Sequence, residues 1–287
     1  MKEIRGGEIL SQVKVRLEPF KEIFFGKKVT IIRFNPPAEE TDAIALAKYE
    51  AARYSTEHKI KTFKFIGCEV DSQLRNNNTT IEEFKGIIRG ATEDPHTVGI
   101  IVQNPIPLIL HPSLELISQE LDLDGMQENH PVFKASATSE TIARIVKSFV
   151  QEDTIVAVVG GAGFVGGGVI RLLKQENINC FSLDVKDNLL RTLDANIIVS
   201  ATGVPEILDS RHIRPSHQLV VDAGFVPIQD RILGDVNRSA YSIPQNLTPV
   251  PGGVGPLQMA TLLERLIAVA TNRRIEKWGR DSLVNPE

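Results

Sequence analysis

The chain has 287 residues, 42% of them hydrophobic and 24% charged, with 32 Lys and Arg against 36 Asp and Glu. That length suits two globular domains, each with a core large enough to need no disulfide or metal staple. A net charge of −4 without a basic block excludes nucleic acid or an anionic membrane as the main partner.

No apolar run is long enough to span a bilayer, and MKEIRGGEIL lacks the apolar centre of a signal peptide, so a cytoplasmic protein is expected. Lys28 to Phe34 (KVTIIRF) is short, apolar and β-branched, and reads as a buried strand. After Pro36 and Pro37, the spacing of Ile44, Ala47 and Ala51 predicts a helix over 39–59. Lys61 to Glu69 (KTFKFIGCE) reads as a strand, 80–92 as a helix capped by Thr80, and Val98 to Gln103 as a strand stopped by Pro105 and Pro107. Leu114 to Leu121 reads as a short helix, and the polar stretch Gln127 to Ser139 as the crossing between domains.

Beyond that crossing, 140–150 reads as a helix and Thr154 to Val159 as a strand. A helix over 169–176 follows, then strands Asn179 to Leu183, Asn196 to Ser200 and Gln218 to Asp222, and finally a long amphipathic helix over 255–273. This alternation predicts the α/β class, with mostly parallel sheets covered on both faces. Cys68 and Cys180 lie far apart in apolar or strand-like surroundings and read as reduced thiols. The six histidines are scattered and do not gather with Cys or carboxylates at ligand spacing, so no metal is expected.

Glycine is the one residue whose distribution is uneven. Six of the 21 fall in Gly160 to Gly168, and three more in Gly252 to Gly255. Gly161-Ala162-Gly163-Phe164-Val165-Gly166 fits G-x-G-x-x-G, directly after a predicted strand and before a predicted helix. Glycines let the backbone approach a pyrophosphate, and the helix supplies free N–H groups and a positive dipole end. Asp184 ends the next predicted strand. A carboxylate there accepts from both ribose hydroxyls and repels a 2′-phosphate, so NAD is expected before NADP.

Four separated motifs resemble the bifunctional methylenetetrahydrofolate dehydrogenase/cyclohydrolase family (FolD-like). They are VQNPIP at Val102 to Pro107, DLDG at Asp122 to Gly125, the turn beginning at Gly160, and TPVPGGVGP at Thr248 to Pro256. Shorter echoes are ATGVP at Ala201 to Pro205, VDAG at Val221 to Gly224 and GDV at Gly234 to Val236. The resemblance implies a folate-binding catalytic domain (1–139 and 256–287) and a Rossmann NAD(P)-binding domain (140–255), with the C-terminal helix returning to the first. It also implies a homodimer. The implied reaction moves a hydride from 5,10-methylenetetrahydrofolate to a nicotinamide cofactor, followed in many members by hydrolysis to 10-formyltetrahydrofolate.

Residue by residue, the resemblance implies that Lys48 is the catalytic lysine of the family's S-x-x-Y-x-x-x-K pattern, with Thr41 and Ile44 in the serine and tyrosine places. Positions 41, 44 and 48 share one helix face. Gln103 matches the glutamine that partners the lysine, and Asp124 the aspartate that receives the pterin's amino group and ring N–H, with Asp122 fixing the turn. Gly160, Gly161, Ala162, Gly163, Phe164, Val165, Gly166, Asp184, Ala201, Thr202 and Gly203 are the implied cofactor residues. Ile44, Pro251, Gly252, Gly253 and Val254 are implied on the substrate side, where glycines let backbone pass close to flat rings. Ala162, Gly168 and Ser136-Ala137-Thr138-Ser139 depart from the family's serine, proline and PCTP. Two alternatives therefore stand beside the dehydrogenase: a catalytically weakened cofactor-binding paralogue, and an enzyme for a different pterin-bound one-carbon unit.

Overall fold

A computed structural model describes residues 1–127, 130 and 132–284. In chain order, β1 (Lys2–Glu3) and α1 (Gly6–Leu17) precede β2 (Lys28–Phe34), α2 (Ala43–Phe65), β3 (Glu69–Arg75), α3 (Ile81–Glu93) and β4 (Thr97–Val102). Then come α4 (Ala137–Lys147), β5 (Ile155–Val159), α5 (Phe164–Gln175), β6 (Asn179–Leu183), β7 (Ile197–Ser200) and β8 (Leu219–Asp222). A hairpin of β9 (Val226–Ile228) and β10 (Arg231–Leu233) leads to β11 (Asn246–Thr248), α6 (Val254–Thr271) and α7 (Arg280–Val284). The chain forms two compact units. One holds 13–134 and 261–277; the other holds 1–12, 135–260 and the stretch from Trp278 onward.

The first unit carries a three-stranded parallel sheet in the order β3-β2-β4. In β2, Val29, Ile31 and Ile32 are fully buried, as a continuous apolar run in a covered parallel strand should be. Phe34 meets Phe84 of α3 edge-on, with ring centroids 5.7 Å apart. Thr80 caps α3 and forms a full capping box with Glu83.

Two sequence expectations fail in this unit. The stretch 61–69 is not a strand, because α2 runs on to Phe65 and the strand begins only at Glu69. Ala52, Thr56, Lys59, Phe63 and Ile66 are all buried and recur every three or four residues, so the helix period governs in the first part of the expected strand. Gly67 N donates to Lys64 O and Cys68 N to Phe63 O, which closes the helix in a Schellman motif. The short helix expected at 114–121 is instead a 3-10 segment over Leu108–Leu116, with Pro112 inside it. Proline removes the donor an α-helical ladder requires there.

The second unit holds a six-stranded sheet in the order β1-β11-β8-β7-β5-β6, parallel at every pairing. Its core gathers Val159, Leu183, Ile198, Leu208, Val220 and Leu247. The α/β class read from the sequence is thus observed in both units. The unit boundaries differ from the expected ones. Residues 1–12 join the second unit because β1 pairs with β11 at the sheet edge.

Within α6, residues up to Ala260 belong to the second unit, and 261–277 alone return to the first. There Arg16 Nη2 donates to Glu264 Oε1 at 2.6 Å, and Arg265 Nη1 to Leu123 O at 3.0 Å. Trp278 is buried in the second unit under the Arg144 guanidinium, 4.4 Å from the ring centroid. The expected crossing at 127–139 lies partly outside the described residues, and α4 starts earlier than expected because Ser136 Oγ accepts from Ser139 N. Both cysteines are free thiols, and burial pushes that of Cys68 up to about 12.

Candidate active site

In the first unit, Lys59 of α2 is fully buried, and its Nζ donates to Gln103 Oε1 and lies 3.5 Å from Asp124 Oδ2. A buried ammonium is tolerable only with such partners, since an unpaired one would carry a large desolvation cost. Gln103 is held at the end of β4, where its backbone N donates to Ile32 O at 2.8 Å. Ser55, one turn before Lys59, places its hydroxyl 3.4 Å from the same Oε1.

Asp124 sits in a turn built by its neighbour. Asp122 Oδ1 accepts from Gly125 N and Oδ2 from Gln127 N, each at 3.0 Å. Burial first, with the charge of Asp124, raises the Asp122 carboxyl above its ordinary range, against backbone donation from Met126 and Gln127. The turn-fixing role expected of Asp122 is therefore seen in its bonds.

Gln103 and Asp124 come together, but Lys48 does not join them. Lys48 is exposed on α2, and Ile44 is half-buried near the start of that helix. Eleven residues separate Lys48 from Lys59, about three turns and roughly 16 Å of rise, so both point from nearly the same helix face. With its serine and tyrosine absent, the S-x-x-Y-x-x-x-K pattern fits 52, 55 and 59 as well as 41, 44 and 48. In the later register Ala52 and Ser55 take the serine and tyrosine places. One signal did distinguish them: Lys59 interrupts an apolar stripe, which is an anomalous place for an unpaired lysine.

In the second unit the glycine turn leaves the C-terminal end of β5. Its neighbours there are β6 on one side and β7 on the other, the point of strand-order reversal where α/β sheets bind ligands. Gly163 opens α5. A Cβ at Gly166 would lie 2.2 Å from Gly160 O, so only glycine lets helix and turn approach this closely. Phe164 is half-exposed at the first turn of α5. Asp184, just past β6, accepts from Ala162 N at 3.3 Å and from Ser182 Oγ at 3.5 Å, so its carboxylate lies against the turn.

The segment Ala201-Thr202-Gly203 leaves the neighbouring β7, and Ala201 O is close enough to Gly160 that a Cβ there would approach to 2.7 Å. Thr202 N donates to Asp235 Oδ2 at 2.6 Å. The second glycine concentration forms a turn after β11, closed by Gly253 N to Pro249 O at 2.8 Å, with Pro251 and Gly252 at its tip and Val254 opening α6. Where the family has PCTP, Ser139 Oγ donates to Val165 O at 2.8 Å and ties α4 to α5. A glycine cradle at a helix start, with no room for side chains, suits a dinucleotide pyrophosphate.

The family model of the tetrahydrofolate dehydrogenase/cyclohydrolase NAD(P)-binding domain matches residues 136–274. The bifunctional protein FolD of Brevibacillus brevis is 30% identical over 239 residues, which cover 74% of this chain and 82% of that protein. The chain belongs to the FolD family.

The bifunctional protein FolD of Aquifex aeolicus is 28% identical over 286 residues, covering 91% of this chain and 92% of its own length. The crystal structure of FolD from Campylobacter jejuni shares the fold with a TM-score of 0.78 at 23% identity, covering 94% of this chain and 98% of its own. The G-x-G-x-x-G turn, Ala201 to Gly203 and the Thr248 to Pro256 turn all fall inside the matched FolD domain. No helix among the described residues is long and apolar enough to cross a membrane, and no group of three or more His, Cys, Asp or Glu among them could hold a metal ion.

Proposed function

We propose that this chain oxidises 5,10-methylenetetrahydrofolate with a nicotinamide cofactor, NAD before NADP, and hydrolyses the methenyl product to 10-formyltetrahydrofolate. The carrying observation is the buried Lys59 with Gln103 and Asp124. The folate is assigned to the unit of 13–134 and 261–277, and the cofactor to the unit with the glycine turn. In place of Lys48, Lys59 is the catalytic lysine of this reading, and Ser55 replaces Ile44 beside it.

When bound, the nicotinamide supplies the acceptor for the hydride. Gly160 to Gly166 and the start of α5 hold the dinucleotide's phosphates, and Asp184 takes the ribose hydroxyls. Asp124 accepts from the pterin's amino group and ring N–H, two parallel donors that suit a carboxylate. Ser55 and Lys59 both donate to Gln103 Oε1, which turns the amide's NH2 the other way. In the hydrolysis, water adds to the methenyl carbon, one of its protons passes by way of Lys59 to the nitrogen that leaves as its bond to that carbon breaks, and the other is released to solvent. A homodimer in the cytoplasm completes the reading, and sedimentation at twice the chain mass tests the dimer.

The test is a steady-state assay of methylenetetrahydrofolate with each nicotinamide, following reduced cofactor and methenyl product together. No turnover with either cofactor overturns the reading. Persistent methenyl product retains the dehydrogenase and removes the hydrolase. Ser55, small where the family carries a tyrosine, favours one second reading, a different pterin-bound one-carbon unit. Stronger thermal stabilisation by another pterin than by tetrahydrofolate would select it.

A further inference from the structure

Two of the short sequence echoes, VDAG and GDV, have no part in the reaction above, yet each carries a fully buried carboxylate. Asp222 Oδ1 accepts from Gly224 N at 3.0 Å and Asp235 N at 2.9 Å, while Oδ2 accepts from Val236 N at 3.0 Å. Asp235 Oδ2 accepts from Ser200 Oγ at 2.8 Å and Thr202 N at 2.6 Å. A Cβ at Gly224 would lie 2.2 Å from Asp235 Oδ1, and one at Gly234 would lie 2.0 Å from Asp222 Oδ2. The glycine of each motif thus makes room for the carboxylate of the other, and the two motifs are halves of one device.

That device reaches both ligand loops. Asp235 holds the first residue after Ala201 in the ATGVP segment. Asp222 N donates to Thr248 Oγ1 at 2.9 Å, where the second glycine turn begins. Tyr241 Oη accepts from Val250 N at 3.2 Å within that same turn.

We propose that Asp222 and Asp235 are paired positioning residues that clamp the Ala201–Pro205 segment and the Thr248–Gly253 turn, and thereby set the affinity for the dinucleotide. This rests on the reading of Ala201 to Gly203 as a cofactor segment; the Thr248–Gly253 turn, implied on the substrate side, is held by the backbone N of Asp222, which an Asp235 substitution leaves in place. Two carboxylates so placed do not both ionise readily, and Asp235 Oδ1 is buried with no hydrogen-bond partner among the described residues. Burial first, and then the charge of Asp235, pushes the Asp222 carboxyl up to about 8, and burial raises Asp235 as well. The two carboxyls titrate as a coupled pair, both displaced above the ordinary carboxylate range.

Ser200 from β7 and Thr248 from β11 are uncharged. Tyr241 is the other titratable group facing the pair, raised by burial and by the charge of Asp222, with Arg238 and Glu3 acting on Tyr241 in opposite senses. Ionisation of both carboxyls sets two buried anions against each other and loosens the anchor on Thr202.

Dinucleotide binding to the full chain, measured by calorimetry with NAD and NADP from about pH 6 to about pH 10, tests the pair. The wild-type Kd should be constant at low pH and rise as pH passes about 8. Asp235→Ala should weaken binding by about tenfold at neutral pH, while the KM for the folate stays within about twofold. Asp235→Asn keeps an acceptor for Ser200 and Thr202, so it should restore affinity and abolish the pH dependence. Should the alanine variant not fold, the asparagine profile decides: flat supports the pair, and an unchanged rise above pH 8 overturns it. A wild-type profile flat across that range, or an Asp235→Ala Kd equal to wild type, overturns the clamp and leaves the cofactor reading standing. Wild-type protein that binds neither dinucleotide overturns the cofactor reading, and the clamp with it.

Discussion

In the first unit β2 has β3 on one side and β4 on the other; in the second, β5 has β6 and β7. Both sheets therefore reverse direction beside a central strand, and both place their chemistry past strand ends there. What they place differs. The first unit presents charged and amide side chains from three distant segments, Lys59, Gln103 and Asp124. The second presents mainly backbone, in a turn where side chains have no room. A side-chain site can be assembled from anywhere in the chain, provided burial and pairing balance. A backbone site must be contiguous, because the N–H groups of one turn do the work.

The comparison breaks most sharply at Lys59. Lys59→Met should lower the hydrolysis rate by about a thousandfold, in the range of general acid–base catalysis, while Lys48→Met should leave it within about twofold. Steady-state rates of both variants check this, and a large loss in the Lys48 variant alone would reinstate the earlier register. In the backbone site, Gly166→Ala forces a methyl to 2.2 Å from Gly160 O. Overpacking of about 1–3 kcal/mol should raise the dinucleotide Kd by about tenfold or more, with folate binding unmoved. Equal losses of both ligands would deny that the two sites are built separately.

Asp184→Ser should improve NADP relative to NAD by about tenfold, since a carboxylate no longer faces the 2′-phosphate. An unchanged ratio of kcat/KM values would remove Asp184 from ribose recognition. The last effect is on stability. A carboxyl raised on folding stabilises fully below its unfolded value near pH 4, and that contribution is lost as pH rises through about 8. The unfolding midpoint should therefore fall across that interval, and Asp222→Asn should flatten the slope. A wild-type midpoint that rises between pH 6 and about pH 9 would contradict the raised carboxyl.

Most strands and the class of fold were legible in the chain. KVTIIRF and TIVAVV are mainly apolar and β-branched, because a parallel strand covered on both faces has little wet side. The segments missed were those whose burial arises late. β1 is two residues long and exists only by pairing with β11, and α2 outran its expected end because its stripe continues through Phe63 and Ile66. The domain boundary shifted for the same reason, since Lys2 and its partner Asn246 are 244 residues apart and give no local signal.

By itself the sequence determined the two glycine turns and the strand that feeds the first of them, while Gln103 and Asp124 stood in motifs that resemble the family's. Those depend on local geometry, which short contiguous motifs encode. Which lysine meets Gln103, and which carboxylates share a buried space, was decided by tertiary structure. Lys48 and Lys59 lie three turns apart on nearly the same face of α2, and burial of Lys59 against Gln103 and Asp124 separates them. Asp222 and Asp235 are thirteen residues apart, and it takes two glycines from opposite motifs to bring them together.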